Sequence, residues 1–452
     1  MSTSHSKLAK KFLENQQYAD WHDSTFWGLR VKRDKMAAAV PEWEQLREKA
    51  SQIKRHTLTN LDIYLQKFAD AAEKNGVEVH WAKDAEEFNE IVYGILKDNN
   101  AKKMVKSKSM LTEECDMNPY LEARGIEVVE TDLGERILQL AHQRPSHIVV
   151  PATHLTHDDV GELFEKELNT KKGDHDPTYL TYEARLSLRD EFLTADAGMT
   201  GANFGIAETG DIVVCTNEGN ADMSTSVPDL QIAAIGLEKI IPDYECLAVF
   251  VRLLARSATG QPSTTYTSHF RKARPGAKKM HIVIVDNGRS EWLADEDHWE
   301  TLKCMRCGAC MNSCPVYRWS GGYSYSFFIP GPLGINLGML HDPKKYSGNV
   351  SACTLCLGCQ NVCPVKINLG EQIYKWRQTL DGLGVANPEK KMICKAMDYV
   401  FDNKSVYNTA TSCAHIVNNL PSFMVNNGLN PWAYAHKMMK FPKKPFHKDM
   451  ED

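Results

Sequence analysis

Residues 304–315 read CMRCGACMNSCP, and this stretch decides how the C-terminal part of the chain folds. The pattern returns 49 residues further on, as CTLCLGCQNVCP at 353–364. Both copies follow the spacing C-x2-C-x2-C-x3-C-P. Eight of the 13 cysteines therefore lie in two identical patterns, a regularity that chance does not produce in a chain of 452 residues.

This spacing predicts two [4Fe–4S] clusters. Three thiolates on a tight turn bind one cluster, and the fourth cysteine, which precedes the proline, binds the other. Structural zinc, the alternative, uses separated cysteine pairs around one ion. Gly308 and Gly358 are expected to leave room beside the sulfides. The predicted ligands are Cys304, Cys307, Cys310 and Cys363 for the first cluster, and Cys314, Cys353, Cys356 and Cys359 for the second.

Charge and hydropathy narrow the class of protein. Lys+Arg is 53 and Asp+Glu is 58, so the net charge of −5 argues against nucleic acid as the main partner. The most apolar stretch, 246–255, contains Arg252 and is far shorter than the ~20 residues of a membrane helix. The N-terminus lacks the apolar core of a signal peptide. We therefore expect a cytoplasmic chain without a transmembrane segment.

Hydrophobic periodicity divides the chain into four parts. Residues 1–56 are expected to form a helical arm, 57–290 an α/β domain, 291–390 the cluster domain, and 391–452 a helical region with a basic tail. Strands that alternate with helices in 57–290 predict a parallel sheet. No dinucleotide-binding G-x-G-x-x-G and no phosphate-binding loop follow a strand. The predicted strands of this sheet include 77–82, 103–106, 126–131, 148–150 and 281–285.

Two features of the sequence are open to more than one interpretation. The turn Glu208-Thr-Gly210 between two predicted strands could line a ligand cleft or form the corner of a hairpin. The basic, aromatic tail at 436–448 could contact an acidic partner or an anionic membrane surface, or it could be a solvated terminus.

Over about residues 40–390 the sequence resembles the lactate utilisation protein B family of iron–sulfur proteins. The stretches that carry the resemblance are ETDLGERILQL at 130–140, SHIVVPATH at 146–154, GANFGIAETG at 201–210 and PGPLG at 330–334, together with the two cysteine patterns. Where Tyr323 stands we would expect a histidine. The resemblance implies a LUD domain with a NagB/RpiA/CoA-transferase-like α/β fold, followed by an α-helical ferredoxin domain.

The resemblance also implies a function. The chain is expected to be the electron-transfer subunit of a system that oxidises L-lactate to pyruvate, with a cysteine-rich iron–sulfur protein and a smaller LUD-domain protein as partners. A cluster with four cysteine ligands has no open coordination position, so we expect the chain to relay electrons rather than to turn over substrate. Two alternatives remain: an enzyme that binds a small acid or a CoA ester in the LUD cleft, with Glu208 as a candidate nucleophile, and a redox-sensing scaffold.

Overall fold

The structure, a computed structural model, describes residues 5–273, 279–385, 388–427, 439–444 and 446. The chain divides into two compact units, Met1–Trp376 and Arg377–Asp452. Within the described part of the chain, every helix is too short or too polar to cross a lipid bilayer.

Among the described residues, four helices precede the first strand, strands and helices are then interspersed up to about residue 290, and helices follow from there. The strands are β1 (Glu78–Ala82), β2 (Lys103–Lys106), β3 (Glu127–Glu130), β4 (Ala197–Gly201), β5 (Phe204–Ile206), β6 (Asp211–Thr216), β7 (Leu230–Gly236), β8 (Ile240–Ile241), β9 (Tyr266–Phe270) and β10 (Lys279–Val285). The helices up to the cysteine patterns are α1 (His5–Leu13), α2 (Gln16–Ala38), α3 (Trp43–Thr59), α4 (Leu61–Lys74), α5 (Ala85–Asp98), α6 (Met110–Glu114), α7 (Met117–Glu122), α8 (Leu133–Leu140), α9 (His157–Glu167), α10 (Pro177–Thr194), α11 (Asn220–Ser226), α12 (Tyr244–Thr259) and α13 (Arg289–Leu293). The later helices are α14 (Ala309–Ser313), α15 (Pro315–Ser320), α16 (Gly331–His341), α17 (Pro343–Val350), α18 (Gly358–Val362), α19 (Leu369–Gly382), α20 (Pro388–Asp402), α21 (Lys404–Cys413) and α22 (Ser422–Val425).

The main sheet has six strands in the order β1-β10-β7-β4-β2-β3, and each of its pairings is parallel. Every residue of the central strand β7 is buried, which explains its apolar sequence LQIAAIG. A parallel sheet has both faces covered, so its central strands do not alternate between apolar and polar residues. The sheet predicted from the alternating pattern is confirmed.

The order of the strands leaves a crevice at the carboxyl ends of two neighbouring strands of this sheet. From β2 the chain moves outward to β3, whereas from β4 it moves the other way, to β7 and then β10. The neighbours β2 and β4 therefore mark a switch point, and their carboxyl ends are where open α/β sheets bind ligands.

A second sheet, β8-β5-β6-β9, contains the Glu208 turn. Strands β5 and β6 pair antiparallel, so the turn is the corner of a hairpin. Gly210 at this corner has φ +73°, and a Cβ there would lie 2.4 Å from the backbone nitrogen of Ala72 in α4. Glycine is therefore required because the hairpin packs directly on a helix.

The predicted strand at 148–150 is wrong, because this segment is a loop. The backbone N–H groups of Val149 and Val150 donate to Nδ1 of His147, at 3.0 and 3.1 Å, instead of to a neighbouring strand. Of the three residues expected to be buried, Ile148 is buried and Val149 and Val150 are partly buried. A short apolar run does not distinguish a strand from a packed loop.

The N-terminal helices pack against the second cysteine pattern. Arg33 of α2 donates to the carbonyl oxygen of Val362 at 3.0 Å. Arg47 of α3 donates to the carbonyl oxygens of Cys363 and Asn361, with the shortest bond to each at 2.9 Å. These guanidinium groups satisfy carbonyls at the end of α18, where the helix itself provides no donor.

In the second unit the described residues include the end of α19 and the helices α20, α21 and α22. Asn403 caps α21 by accepting a hydrogen bond from the backbone nitrogen of Val406 at 3.2 Å. Of the basic tail predicted at 436–448, positions 436–438, 445, 447 and 448 lie outside the described residues.

Candidate functional site

Each cysteine pattern folds into a loop followed by a one-turn helix, α14 in the first copy and α18 in the second. The loops bend at equivalent positions, because Arg306 and Leu355 both have left-handed backbone angles, with φ of 60° and 54°. The residues after the second cysteine, Gly308 and Leu357, are left-handed as well, at 76° and 59°. Because the two loops share these angles, the matching sequence spacing becomes a matching backbone shape.

The structure brings the cysteines together in the crossed arrangement that the sequence predicts. One small, mostly apolar cavity is lined by the first three cysteines of the first pattern and by the last cysteine of the second pattern. The thiol of Cys359 has Cys314, Cys353 and Cys356 as its electrostatic neighbours. The two groups are Cys304, Cys307, Cys310 and Cys363, and Cys314, Cys353, Cys356 and Cys359.

Backbone N–H groups point at several of these sulfurs. The N–H of Arg306 donates to Sγ of Cys304, and that of Leu355 to Sγ of Cys353, both at 3.3 Å. The N–H of Ile367 donates to Sγ of Cys363, also at 3.3 Å. Such bonds stabilise thiolates and help to set the reduction potential of a cluster.

The cysteine arrangement suits a cubane better than a single metal ion. Among the described residues, no three cysteine sulfurs lie within 4.8 Å of one another. Tetrahedral zinc with Zn–S bonds of about 2.3 Å needs sulfurs about 3.8 Å apart. A [4Fe–4S] cluster binds each thiolate through a different iron and so needs a wider set. All 13 cysteines are also free of disulfides.

Buried cations accompany the first group. Burial raises the pKa of the Cys307 thiol to about 12, and Arg33 acts in the opposite direction. Burial likewise raises the pKa of Cys363, against the effect of Lys303, whose side chain is almost completely buried. Lys239 donates to the carbonyl oxygen of Cys304 at 3.0 Å. These positive charges favour thiolate and the negative charge of a bound cluster.

The glycines of the two loops have different reasons to be there. A Cβ at Gly308 would lie 3.1 Å from Cε1 of His147, so an imidazole crowds any side chain at this position. At Gly358 a Cβ would lie 3.7 Å from Sγ of Cys356, which is an ordinary contact. The expectation that both glycines leave room for the sulfides stays a prediction, and at Gly308 the imidazole of His147 is a second reason to exclude a side chain.

Next to the first group lies the larger crevice at the carboxyl ends of β2 and β4. Its volume is about 550 Å³, and its walls include 107–109, 201–203 and the loop residues Met305, Arg306 and Cys307. Glu208 is exposed at the hairpin corner and is not among the lining residues. The candidate nucleophile therefore lies outside this crevice.

Tyr323 stands where the sequence comparison led us to expect histidine. Its hydroxyl donates to the carbonyl oxygen of Arg144 at 2.6 Å and lies 3.0 Å from Nε2 of His154. The tyrosine therefore ties the cluster region to the loop around 144–154.

Comparisons with known proteins define the class. The LUD domain matches residues 65–290, and a 4Fe-4S dicluster domain matches residues 300–367. This is a LUD-domain iron–sulfur protein, and its cofactors are two [4Fe–4S] clusters.

Curated relatives define the family. The chain is 44% identical over 392 residues to lactate utilization protein B of Geobacillus thermodenitrificans (strain NG80-2), with 85% of this chain and 82% of that protein covered. It is 39% identical over 414 residues to the uncharacterized electron transport protein YkgF of Escherichia coli (strain K12), covering 90% and 86%. It is 40% identical over 425 residues to lactate utilization protein B of Lysinibacillus sphaericus (strain C3-41), covering 92% and 89%. The chain belongs to the lactate utilization protein B family.

Sequence reasoning missed the non-cysteine residues of the site. Arg306 lies inside the first pattern, between Cys304 and Cys307, and this position could have indicated that its side chain is near the cluster site. Arg33, Arg47 and Lys303 gave no such signal, because a basic residue in a polar helix is usually solvated. Only tertiary packing shows that they are buried beside the cluster loops.

Proposed function

We propose that this chain is the iron–sulfur electron-transfer subunit of a system that oxidises L-lactate to pyruvate. The observation that carries the proposal is the crossed grouping of eight cysteines around two centres. The relatives named lactate utilization protein B and the relative named as an electron transport protein support the same role. The proposed ligands are Cys304, Cys307, Cys310 and Cys363 for one cluster, and Cys314, Cys353, Cys356 and Cys359 for the other.

The clusters, when bound, supply two one-electron carriers without an open coordination position. Oxidation of lactate to pyruvate releases two electrons and two protons, so the number of carriers matches the number of electrons. The residues of the chain provide the surroundings. Backbone N–H groups such as that of Arg306 stabilise the thiolates, and Lys303 offsets the negative charge.

The exposure of the two patterns suggests a direction for the electrons. The first lies against the crevice of the LUD domain, whereas Cys356 and Leu357 of the second are exposed. We infer that electrons enter at the first cluster and leave from the second to a partner protein. The proposed partners are a cysteine-rich iron–sulfur protein and a smaller LUD-domain protein, and the proposed location is the cytoplasm.

Matched cysteine variants test the ligand sets. Anaerobically purified protein should contain about eight iron atoms per chain. Cys307→Ser and Cys356→Ser should each lower the iron content to about four and remove a different signal from the electron paramagnetic resonance spectrum of reduced protein. Cys413→Ser, at an exposed cysteine outside both patterns, should keep all eight. Colourless protein with zinc, or full iron in both ligand variants, would overturn the proposal.

Reconstitution tests the role. The isolated chain should not oxidise lactate, but its clusters should become reduced when L-lactate and the two partner proteins are added together. Reduction by lactate with the chain alone would show instead that the chain is a complete oxidoreductase.

A further inference from the structure

The crevice beside the first cysteine pattern has the position and size of a ligand site. It lies where the chain reverses direction between β2 and β4, the place at which open α/β sheets bind small molecules. Its volume of about 550 Å³ is within the range of small-molecule sites. It is built by residues from several strands and loops rather than by a single surface groove.

The crevice and the first cluster site share a wall. Met305, Arg306 and Cys307 line the crevice, and Met305 and Cys307 also line the cavity of the first cysteine group. A molecule in the crevice would therefore lie one loop away from the first cluster. The second cysteine pattern does not contribute to the lining of this crevice.

Most charged groups of the crevice are already engaged by the protein. Arg289 donates to Glu114 at 2.8 Å and to Glu238 at 2.6 Å. Lys108 donates to the carbonyl oxygen of Val149 at 2.8 Å. These contacts connect the walls of the crevice to one another, and the groups that make them already have partners.

Two residues that line the crevice each carry a buried donor without a partner among the described residues. Nη1 of Arg306 is buried without a hydrogen bond, and Nη2 of this side chain is 3.9 Å from the carboxylate of Glu238. The hydroxyl of Ser107, whose side chain is 3% exposed, is also buried without a partner. A buried donor without a hydrogen bond costs folding free energy. We therefore expect this guanidinium and this hydroxyl to bind an acceptor.

The rest of the lining indicates what kind of molecule carries that acceptor. Apolar side chains such as Leu111, Ile148 and Leu254 form part of the walls and suit a carbon skeleton. The carboxyl groups that face the crevice include Asp132 and Glu218. Burial, and secondarily Asp132, raise the pKa of Glu218 to about 7, so its repulsion of a second carboxylate is reduced at neutral pH.

We propose that this crevice binds a small organic acid, with the carboxylate on Arg306 and Ser107 and the carbon skeleton against the apolar wall. Arg306 is then a binding residue that also forms part of the loop holding the first cluster. The inference deepens the proposed electron-transfer function and rests on it for the presence of the cluster. It identifies the LUD domain as the part of the chain that recognises the acid.

The test uses full-length protein with its clusters, purified without oxygen. Pyruvate and L-lactate are titrated separately by calorimetry, with inorganic phosphate and coenzyme A as competing probes. At least one of the two acids should bind saturably, and Arg306→Gln should weaken this binding at least tenfold. Ser107→Ala, which leaves the cluster loop intact, should weaken it severalfold. Arg185→Gln, which removes an exposed positive charge on α10, should bind as the unaltered protein does.

A second readout reports proximity to the cluster. Reduction of a diamagnetic [4Fe–4S] centre makes it paramagnetic, so the methyl resonance of the bound acid should broaden in reduced protein and not in oxidised protein. The broadening should be lost in Cys307→Ser and kept in Cys356→Ser.

The outcomes separate this inference from the proposed function. The inference is overturned, and electron transfer is left intact, if protein with about eight irons binds neither acid. It is also overturned if Arg306→Gln binds the acids as tightly as the unaltered protein does. Binding of phosphate or coenzyme A without displacement by the acids also overturns it. Acid binding by protein that lacks iron would instead overturn the proposed function.

Discussion

In the first cysteine pattern Cys307 and Gly308 are buried, whereas the corresponding Cys356 and Leu357 of the second pattern are exposed. Both loops have the same ligand spacing and the same left-handed turns. The difference comes from what packs on each loop, because His147 of the LUD domain lies against Gly308. The comparison teaches that equal spacing gives the two loops the same backbone shape, while the neighbouring domain determines how exposed each loop is.

The glycine substitutions give the largest expected effect. Gly308→Ala should destabilise the protein by about 2 kcal/mol, because the new Cβ meets His147 at 3.1 Å on a left-handed backbone. Gly358→Ala, which makes an ordinary contact, should change stability by less than about 0.5 kcal/mol. The measurement is the midpoint of thermal unfolding of cluster-loaded protein. Equal shifts would mean that the LUD domain does not constrain the first loop.

The next largest effect is expected in the rate at which the two cluster sites lose iron. A chelator added to oxidised protein should release iron from the exposed second site about tenfold faster than from the first, a ratio equivalent to about 1.4 kcal/mol. Cys356→Ser and Cys307→Ser, each with one remaining cluster, allow the two rates to be measured separately. Equal rates would show that exposure in the structure does not govern access.

The buried cations should make the reduction potentials respond differently. Lys303→Met removes a positive charge beside Cys363 and should lower the potential of the first cluster by about 50 mV. The potential of the second cluster should change much less. Lys344→Met, at an exposed lysine of α17, provides the control for a lost surface charge. The measurement is a redox titration followed by paramagnetic resonance, and an equal shift of both clusters would contradict the prediction.

The smallest expected effect concerns pH. Burial lowers the pKa of His147 to about 3, so this imidazole is neutral in the folded protein, where its Nε2 lies 3.0 Å from Oδ1 of Asn312. Unfolded protein binds a proton there below about pH 6.5, and the free energy of unfolding should therefore fall as the pH decreases. His147→Gln should reduce this loss by about 1 kcal/mol between pH 7 and pH 5.5.

The pH comparison has an internal control. His157→Gln, at an exposed histidine that begins α9, should keep the pH dependence of the unaltered protein. If both variants behave alike, the contact between the LUD domain and the first loop does not depend on a neutral His147.

Sequence reasoning reached the grouping of the eight cysteines and the main sheet because both depend on local patterns. The cysteine spacing predicts the two groups, and alternating periods in 57–290 predict the parallel strands. It was wrong at 148–150, where three apolar residues form a loop on the cluster domain. The sequence also did not indicate that Leu355 and Leu357 adopt left-handed backbone angles. Leucine disfavours this conformation, and the surrounding fold imposes it.

By itself the sequence determined which eight thiolates could hold iron, because covalent spacing along a short loop limits which sulfurs can meet. Only the tertiary structure decided that one loop is covered and the other is open. It also placed Arg306 and Ser107, 199 residues apart in the chain, on one crevice. Burial and long-range contacts depend on how distant segments pack, and no local pattern of residues records that packing.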